Sequence, residues 1–321
     1  MTGRAIIVVS SLVARGTVGA RAAMLALEAL GHPVWAVPTV TLPWHPGHAH
    51  RRGETARIVA DDAAFRHLCE DLAGAPWLGE VGGILTGYMA TPAQAEATAG
   101  LVRAVRERVT DAKVVCDPVI GDFRRDHLAE AGHDTGALYV PEAVAAAIRD
   151  HLLPLADATT PNRFELRWLA GRDVPFAANA EAADAAAALG PAQVLVTSAF
   201  PLMRDHTGNM LVEEASRRLA EHRALPRAPN GTGDLTSALL AHHLVAGTPA
   251  ASMLERLTAS VFEVVARTVK AGGDELALEG NLASLSRPMA PVSMRLLGGA
   301  NAVQAKARAE RSAPGRESRS G

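Results

Sequence analysis

The chain has 321 residues, 32 of them basic and 34 acidic, and its formal net charge of -2 gives no electrostatic reason to expect nucleic acid or an anionic membrane as a partner. Hydrophobic residues make up 48% and aromatic residues only 4%, which suits Ala- and Leu-rich helices layered on a sheet. The two cysteines are too few for a disulfide framework, so we expect a cytoplasmic protein that acts on small metabolites.

The amino-terminal half alternates apolar, β-branched runs with helical patterns. We read the apolar start as a buried strand rather than a signal peptide, and no run reaches the length of a membrane span. The elements predicted here are strands over 4–10, 32–39, 81–86 and 113–116 and helices over 20–30, 54–72 and 92–108. A strand, loop, helix and strand in succession indicate a parallel sheet.

Two patterns in this half have rival interpretations. Gly16 and Gly19 could belong to a dinucleotide fingerprint, but the second strand ends in Val-Pro-Thr-Val without the required acid. His45, His48 and His50 could bind a metal, but they lie in a Pro- and Gly-rich loop with no carboxylate before position 54. We therefore favour solvated loop histidines, or a flap over a ligand.

Asp117 is the first candidate for chemistry. A buried strand delivers it to the carboxyl end of the sheet, where open α/β folds place ligand groups, and Pro118 ends the strand. A Mg²⁺-linked role in phosphate handling suits a carboxylate there, and so does the simpler role of a turn acid. The spacing alone leaves both open.

The carboxyl-terminal half continues the alternation. Its predicted elements are strands over 153–158, 193–198 and 210–213 and helices over 141–151, from 162, from 232 and over 249–270. We predict one doubly wound α/β domain over 1–303 and a disordered tail over 304–321, which is rich in Ala, Arg, Ser and Gly.

Asn162 and Glu165 open the helix that follows the 153–158 strand. Three residues apart, they face the same side of its first turn. They could form a capping pair, or they could present an amide and a carboxylate to a metal-bound triphosphate.

The segment Gly231-Thr232-Gly233-Asp234 precedes an Ala- and Leu-rich helix. A helix start exposes unpaired backbone N–H groups, and glycines allow close approach, so these residues predict a phosphate cradle. Asp234 is either a first-turn acid favoured by the helix dipole or a general base that takes a proton from a substrate hydroxyl.

Three motifs in this order, Asp117-Pro-Val-Ile-Gly121, Thr160-Pro-Asn-Arg-Phe-Glu165 and Gly231-Thr-Gly-Asp234, resemble the ribokinase-like superfamily. Ser11, Gly16-x-x-Gly19, His45-Pro-Gly47, Gly87-Tyr88 and Cys116-Asp-Pro-Val119 make the chain similar to the pyridoxal kinase family within it. The resemblance runs from about residue 4 to 270 and implies a mostly parallel sheet flanked by helices, with a flap.

The resemblance also implies roles for individual residues. Asp234 would deprotonate the 5′-hydroxymethyl group of pyridoxal, and the amides of Gly231, Thr232 and Gly233 would bind the γ-phosphoryl group. Asp117 and Glu165 would position Mg²⁺ directly or through water. The other implied contacts are Asn162, Thr160, Thr197, Arg223, Ala224 and Leu225 with ATP, and Ser11, Pro46 and Gly47 with the pyridine ring.

The chain departs from the family pattern at Leu12, Arg15 and Ala20, where His, Tyr and Asn are usual. A kinase of hydroxymethylpyrimidine or another small alcohol therefore stays open, as does a non-catalytic B6-binding protein. The resemblance further implies a homodimer. Whether a monovalent cation is required stays open as well.

Overall fold

The computed structural model describes residues 3–48, 56–123, 136–225 and 228–298. These residues build an α/β fold around one large sheet. Its strands are β1 (Ala5–Val13), β2 (Val34–Leu42), β3 (Ile58–Val59), β4 (Val81–Thr86), β5 (Lys113–Cys116), β8 (Ala158–Thr159), β9 (Gln193–Ala199), β10 (His206–Glu213), β11 (Ser216–Arg223) and β12 (Ser293–Leu296). A separate hairpin pairs β6 (Gly121–Phe123) with β7 (Gly136–Leu138).

The strand order is β12-β11-β10-β9-β8-β5-β4-β1-β2-β3. Strands β2, β1, β4, β5, β8 and β9 run parallel, while β3 and the β10 to β12 group are antiparallel to their neighbours. The parallel strands therefore deliver their carboxyl ends to the same edge of the sheet. The prediction of a mostly parallel sheet flanked by helices is confirmed.

Helices cover both faces of the sheet. They are α1 (Gly19–Ala29), α2 (Asp62–Ala73), α3 (Pro92–Arg108), α4 (Glu142–Ala147), α5 (Arg163–Leu169), α6 (Asn179–Ala187), α7 (Thr232–Val245), α8 (Ala250–Lys270) and α9 (Ala283–Ser286). Successive residues of β1 point to opposite faces, so Ile6 and Val8 pack with α1, α7 and α8, while Ile7 and Val9 pack with α2, α3 and α4. Both faces are dry, as a parallel sheet requires.

Several predicted boundaries were wrong. The helix expected over 54–72 begins at Asp62, because the Asp61 side chain accepts hydrogen bonds from the N–H groups of Ala63 and Ala64 and caps it there. The strand expected over 153–158 is confined to Ala158–Thr159, after helical turns that run to Leu155. The strand expected over 210–213 starts at His206 and pairs with β11, which the sequence analysis missed along with α6 and β12.

Within the described ranges, no helix is long and apolar enough to cross a membrane. The tail predicted to be disordered, residues 304–321, lies outside the described residues, as does His50. The domain boundary at 303 and the cytoplasmic location therefore stay predictions.

Candidate active site

The carboxyl ends of the parallel strands gather most of the residues that the sequence analysis selected. Ser11 lies near the end of β1, Asp117 follows β5 and Thr160 follows β8. Thr197 lies two residues before the end of β9. Helix α7 begins at the same edge, so Asp117 and Asp234 line one small pocket together with Ser237. The topology thus brings together residues that lie more than a hundred positions apart in the chain.

Gly231 fixes the start of α7. Its φ of +93° is a left-handed conformation, and a Cβ there would collide with the carbonyl of Thr17. The first helical hydrogen bond runs from the N–H of Leu235 to the carbonyl of Gly231 at 3.0 Å, so the N–H groups of Thr232, Gly233 and Asp234 precede the helical ladder.

Open space adjoins this helix start. Apart from its chain neighbours and the backbone of its own helix, no described heavy atom lies within 4 Å of the position that a Cβ on Gly233 would take, and Gly233 is exposed. The Thr232 hydroxyl donates to the carbonyl of Pro229, 2.8 Å away, so it does not occupy this space. The geometry provides room for an anion at the positive end of the helix dipole.

Asp234 is partly buried where this helix start meets a larger cleft. Burial raises the pKa of its carboxyl group, while the backbone N–H groups of Gly19 and of Asp234 itself act in the opposite direction. A carboxylate with a raised pKa is a better proton acceptor than one in water, which is the property that a general base needs.

Asp117 is only 7% exposed, at the carboxyl end of β5. Its pKa is raised to about 7, first by burial and then by the negative charge of Asp234, while the hydroxyls of Ser237 and Thr160 oppose the shift. The two aspartates therefore repel each other across the shared pocket. A cation placed between them would relieve that repulsion.

Asn162 and Glu165 form a capping box at the start of α5. The N–H of Glu165 donates to Asn162 Oδ1 at 2.9 Å, and the N–H of Asn162 donates to Glu165 Oε2 at 2.9 Å. Glu165 Oε1 accepts the N–H of Ile120 at 3.2 Å, and Asn162 Nδ2 donates to the carbonyl of Gly121 at 2.9 Å. The pair thus ties α5 to the segment that follows Asp117.

Glu165 is buried, and burial raises its pKa well above the ordinary value, with the charge of Asp117 as the next cause. Both of its carboxylate oxygens accept backbone N–H groups. The structure therefore shows the capping role that the sequence left open. A contact of Glu165 with a metal or nucleotide stays a prediction.

A cleft of about 710 Å³ opens beside Asp234. Its described lining includes Ser11, Pro46 and Gly47, all three of which the sequence analysis assigned to the substrate. The lining also includes residues that were not assigned to the substrate from the sequence, although Gly19, Tyr88 and Val119 belong to motifs of the family resemblance: Val18, Gly19, Val40, Arg57, Tyr88, Val119, Tyr139 and Asn230. Tyr88 and Val119 were within reach of prediction because they lie two and three residues after the ends of β4 and β5, whereas Arg57 and Asn230 lie in loops without a recognisable pattern.

The three departures from the family pattern do not line this cleft. Leu12 packs against the buried cluster under α1 and α7, and Ala20 is fully buried in that cluster. Arg15 points to Asp274, with Nη2 3.1 Å from Oδ1. The neighbouring Ser11 and Gly19 face the cleft instead, so the changed side chains alter the packing behind it.

The residues assigned to the nucleotide fall into two groups. Thr160 and Thr197 lie beside Asn162, since the N–H of Thr197 donates to the carbonyl of Pro161 at 2.9 Å and Asn162 bridges to Thr197. The following residue, Ser198, has a φ of +54°, a left-handed conformation that no local sequence pattern indicates. Arg223 is the last residue of β11 and Ala224 and Leu225 follow it, and none of the three belongs to the described lining of the cleft.

Of the three histidines of the 41–53 loop, the structure describes His45 and His48, whose rings meet edge to face with centroids 6.1 Å apart. His48 Nε2 lies 2.7 Å from Glu275 Oε1, and His45 Nδ1 accepts the N–H of Gly47. In the described part of the chain, no group of three or more His, Cys, Asp or Glu side chains could hold a metal ion by itself.

Comparisons with known proteins agree on one family. The family model for phosphomethylpyrimidine kinase matches residues 81–277. A pyridoxal kinase of Rubrobacter xylanophilus is 34% identical over 89% of this chain and 95% of its own length. A pyridoxine/pyridoxal/pyridoxamine kinase of Bordetella bronchiseptica is 38% identical over 86% of this chain and 94% of its own length. The pyridoxal kinase of Leishmania donovani, solved with ADP and pyridoxamine, is 26% identical, with a TM-score of 0.78 over 92% of this chain and 100% of that one.

Proposed function

Because this chain belongs to the pyridoxal kinase family, ribokinase-like in fold, we propose that it transfers the γ-phosphoryl group of ATP to the 5′-hydroxymethyl group of pyridoxal. The observation that carries the proposal is the position of Asp234. Its carboxylate lies between a cleft of suitable size for a pyridine ring and the start of a helix, whose first backbone amides precede the helical ladder. The dinucleotide-binding alternative is wrong, since the family match excludes it.

In this reaction Asp234 accepts the proton of the substrate hydroxyl as the oxygen attacks the γ-phosphorus. The bond from oxygen to phosphorus forms as the bond from that phosphorus to the bridging oxygen of ADP breaks, and ADP leaves. The amides of Gly231, Thr232 and Gly233 stabilise the charge on the transferring group. Such catalysis consists largely of positioning and electrostatic stabilisation.

The residues present fit Mg²⁺, which supplies positive charge to the phosphates when it is bound. Asp117 and Glu165 are buried carboxylates, and the charge of Asp117 raises the pKa of Glu165. A cation near Asp117 would remove this repulsion. Magnesium keeps several waters and binds through one or two carboxylates plus substrate phosphates, so a site with few protein ligands is sufficient. We assign the direct contact to Asp117 and a water-mediated one to Glu165, whose oxygens already accept backbone N–H groups.

The nucleotide would extend from the start of α7 towards the ends of β8 and β9. Thr160 and Thr197 would lie along the phosphates, with Asn162 between them, and Arg223 to Leu225 would lie nearer the adenosine. The proximity of Thr197 to Asn162 supports the first part of this assignment. The second part follows from the family resemblance.

The pyridine ring would occupy the 710 Å³ cleft beside Ser11, Pro46 and Gly47. Tyr88 offers an aromatic wall there, and Arg57 Nη2 lies 3.4 Å from its hydroxyl. The departures at Leu12, Arg15 and Ala20 act behind the cleft.

The second candidate is a kinase of hydroxymethylpyrimidine, which the description of the matching family model favours. Coupled detection of ADP with pyridoxal, pyridoxine, pyridoxamine and hydroxymethylpyrimidine decides between the two. We expect the highest kcat/KM with pyridoxal. Preference for the pyrimidine would refute the substrate assignment, and binding of pyridoxal without ADP formation would identify a B6-binding protein instead. A homodimer and a monovalent-cation requirement are further points that the family resemblance raises and that gel filtration and cation titration test.

A further inference from the structure

Glu275 lies at the junction of three segments that surround the cleft. It follows α8, and its side chain is only 11% exposed. The backbone around it is anchored to the end of α8, since the N–H of Gly273 donates to the carbonyl of Thr268 and the N–H of Ala277 donates to Thr268 Oγ1, both at 3.0 Å. Residues 273–277, called the platform below, are therefore fixed to the end of α8, and they hold Glu275 in place.

The first segment is the short turn at Pro46–His48. Its His48 places Nε2 2.7 Å from Glu275 Oε1, and the His48 side chain is 18% exposed. A backbone hydrogen bond closes the turn, since the N–H of His48 donates to the carbonyl of His45 at 2.9 Å. His45, Pro46 and Gly47 line the cleft, so the contact of His48 with Glu275 holds a wall of the substrate site.

The second segment is the loop between β1 and α1. Gly16 has a φ of +99°, and a Cβ there would lie 2.6 Å from Glu275 Oε1, so the carboxylate packs directly on the Gly16 backbone. Arg15 Nη1 lies 3.7 Å from the same oxygen. The Thr17 hydroxyl donates to the carbonyl of Leu276, the next residue along the platform.

The third segment is the start of α7. Asn230 and Glu275 form an isolated parallel β-bridge, and Asn230 itself lines the cleft. Gly231, the next residue, packs against the carbonyl of Thr17 and the side chain of Leu276. The start of α7 and the turn at Pro46–His48 thus both contact the same platform.

From these contacts we propose that Glu275 is a positioning residue that holds the Pro46–His48 turn at a fixed distance from the phosphoryl-transfer site. Through His48 it sets the affinity for the alcohol substrate and the exclusion of water from the transferring group. Its carboxylate does not touch the reacting atoms. This inference rests on the proposed function, because the turn has a substrate to enclose only if the 710 Å³ cleft takes one.

The kinetic test compares Glu275→Gln, His48→Gln and the double variant with the matched control Asp274→Asn. Asp274 is next in the chain and pairs with Arg15, but its side chain is 61% exposed. Loss of the 2.7 Å contact between His48 Nε2 and Glu275 Oε1 predicts a rise of about tenfold in KM for pyridoxal with unchanged KM for ATP. We expect the two single effects to be non-additive, ADP to form in excess over phosphorylated product, and the control to match the wild type.

Hydrogen exchange at residues 45–48 of the free protein gives a readout that does not depend on activity. We expect faster exchange there in Glu275→Gln and in His48→Gln, and unchanged exchange in Asp274→Asn. An inactive wild-type protein with this exchange pattern would refute the proposed function and leave the positioning role intact. An active wild type with unchanged KM and unchanged exchange in both variants would overturn the positioning role. If Glu275→Gln is unstable, His48→Gln in its surface turn makes the same comparison.

Discussion

Replacing Asp117 by asparagine should stabilise the fold while it lowers the activity, and the gain in stability should depend on pH. The pKa of Asp117 is about 7 in the folded chain against an ordinary 3.8, chiefly because the group is buried and secondly because Asp234 is close. Between these two values the folded state binds more protons than the unfolded state. The unfolding free energy contributed by this group therefore falls as the pH rises from 3.8 to 7, and the loss is complete above 7.

The magnitude follows from the difference between the two pKa values. At about 1.4 kcal/mol for each tenfold change in proton affinity, an ionised Asp117 costs the fold roughly 4 kcal/mol above pH 7. Asparagine carries no charge and retains an oxygen that can accept from Ser237 or Thr160. We expect Asp117→Asn to be more stable than the wild type by about 2–4 kcal/mol at pH 8 and nearly equal to it at pH 4.

Urea unfolding at several pH values measures this difference directly, and contributions from other titrating groups cancel between wild type and variant. The matched control is Asp111→Asn, which removes a carboxylate near the opposite end of the same strand. That side chain is 73% exposed, and its pairing with Arg4 lowers its pKa. A variant at Asp117 whose stability relative to wild type does not change with pH, or falls as the pH rises, would refute the electrostatic reasoning.

Two other substitutions test parts of the account. The pKa values of His242 and His243 are lowered to about 4 from 6.5, first by burial and then by a nearby histidine. Between these values the unfolded chain takes up protons that the folded chain does not, so stability falls as the pH drops from 6.5 to about 4. Replacing both by Gln should flatten this acid limb by about two protons in linkage plots, and an unchanged slope would contradict the burial argument. Gly231→Ala should lower the unfolding free energy by about 1–3 kcal/mol and reduce activity, since φ is +93° there and a Cβ would meet the carbonyl of Thr17. The control Gly247→Ala, where φ is +66° but a Cβ would meet no atom outside its chain neighbours within 4 Å, should lower stability without reducing activity. Equal loss of activity in both variants would contradict the close-packing argument.

Much of the site could be predicted because its residues mark the ends of local elements. Pro229 and the glycines after it predict the start of α7, and a buried apolar strand places Asp117 at the edge of the sheet. Such signals depend on a few neighbouring residues, and they fix position along the chain. The parallel topology then brings those positions together.

The parts that escaped prediction depend on pairing between distant segments. Strand β11 carries Arg217, Arg218 and Glu221 and has little of the apolar alternation typical of a strand, yet it pairs along its whole length with β10. The contact of His48 with Glu275 joins a loop to the segment that follows α8, and no local sequence pattern at either residue predicts it. Helix α2 begins later than its apolar pattern suggests, because the Asp61 side chain caps it.

The most direct measurement of the central claim is the single-turnover rate of phosphoryl transfer to pyridoxal in Asp234→Asn, with the binding of pyridoxal and ATP measured separately. Asparagine keeps the shape of the side chain at the start of α7 but cannot take up the hydroxyl proton. The account predicts a rate lowered by roughly 10²–10⁴ with both ligands still bound. A rate within a factor of about three of the wild type, at equal occupancy, would show that another group accepts the proton and would contradict the assignment of Asp234 as the base.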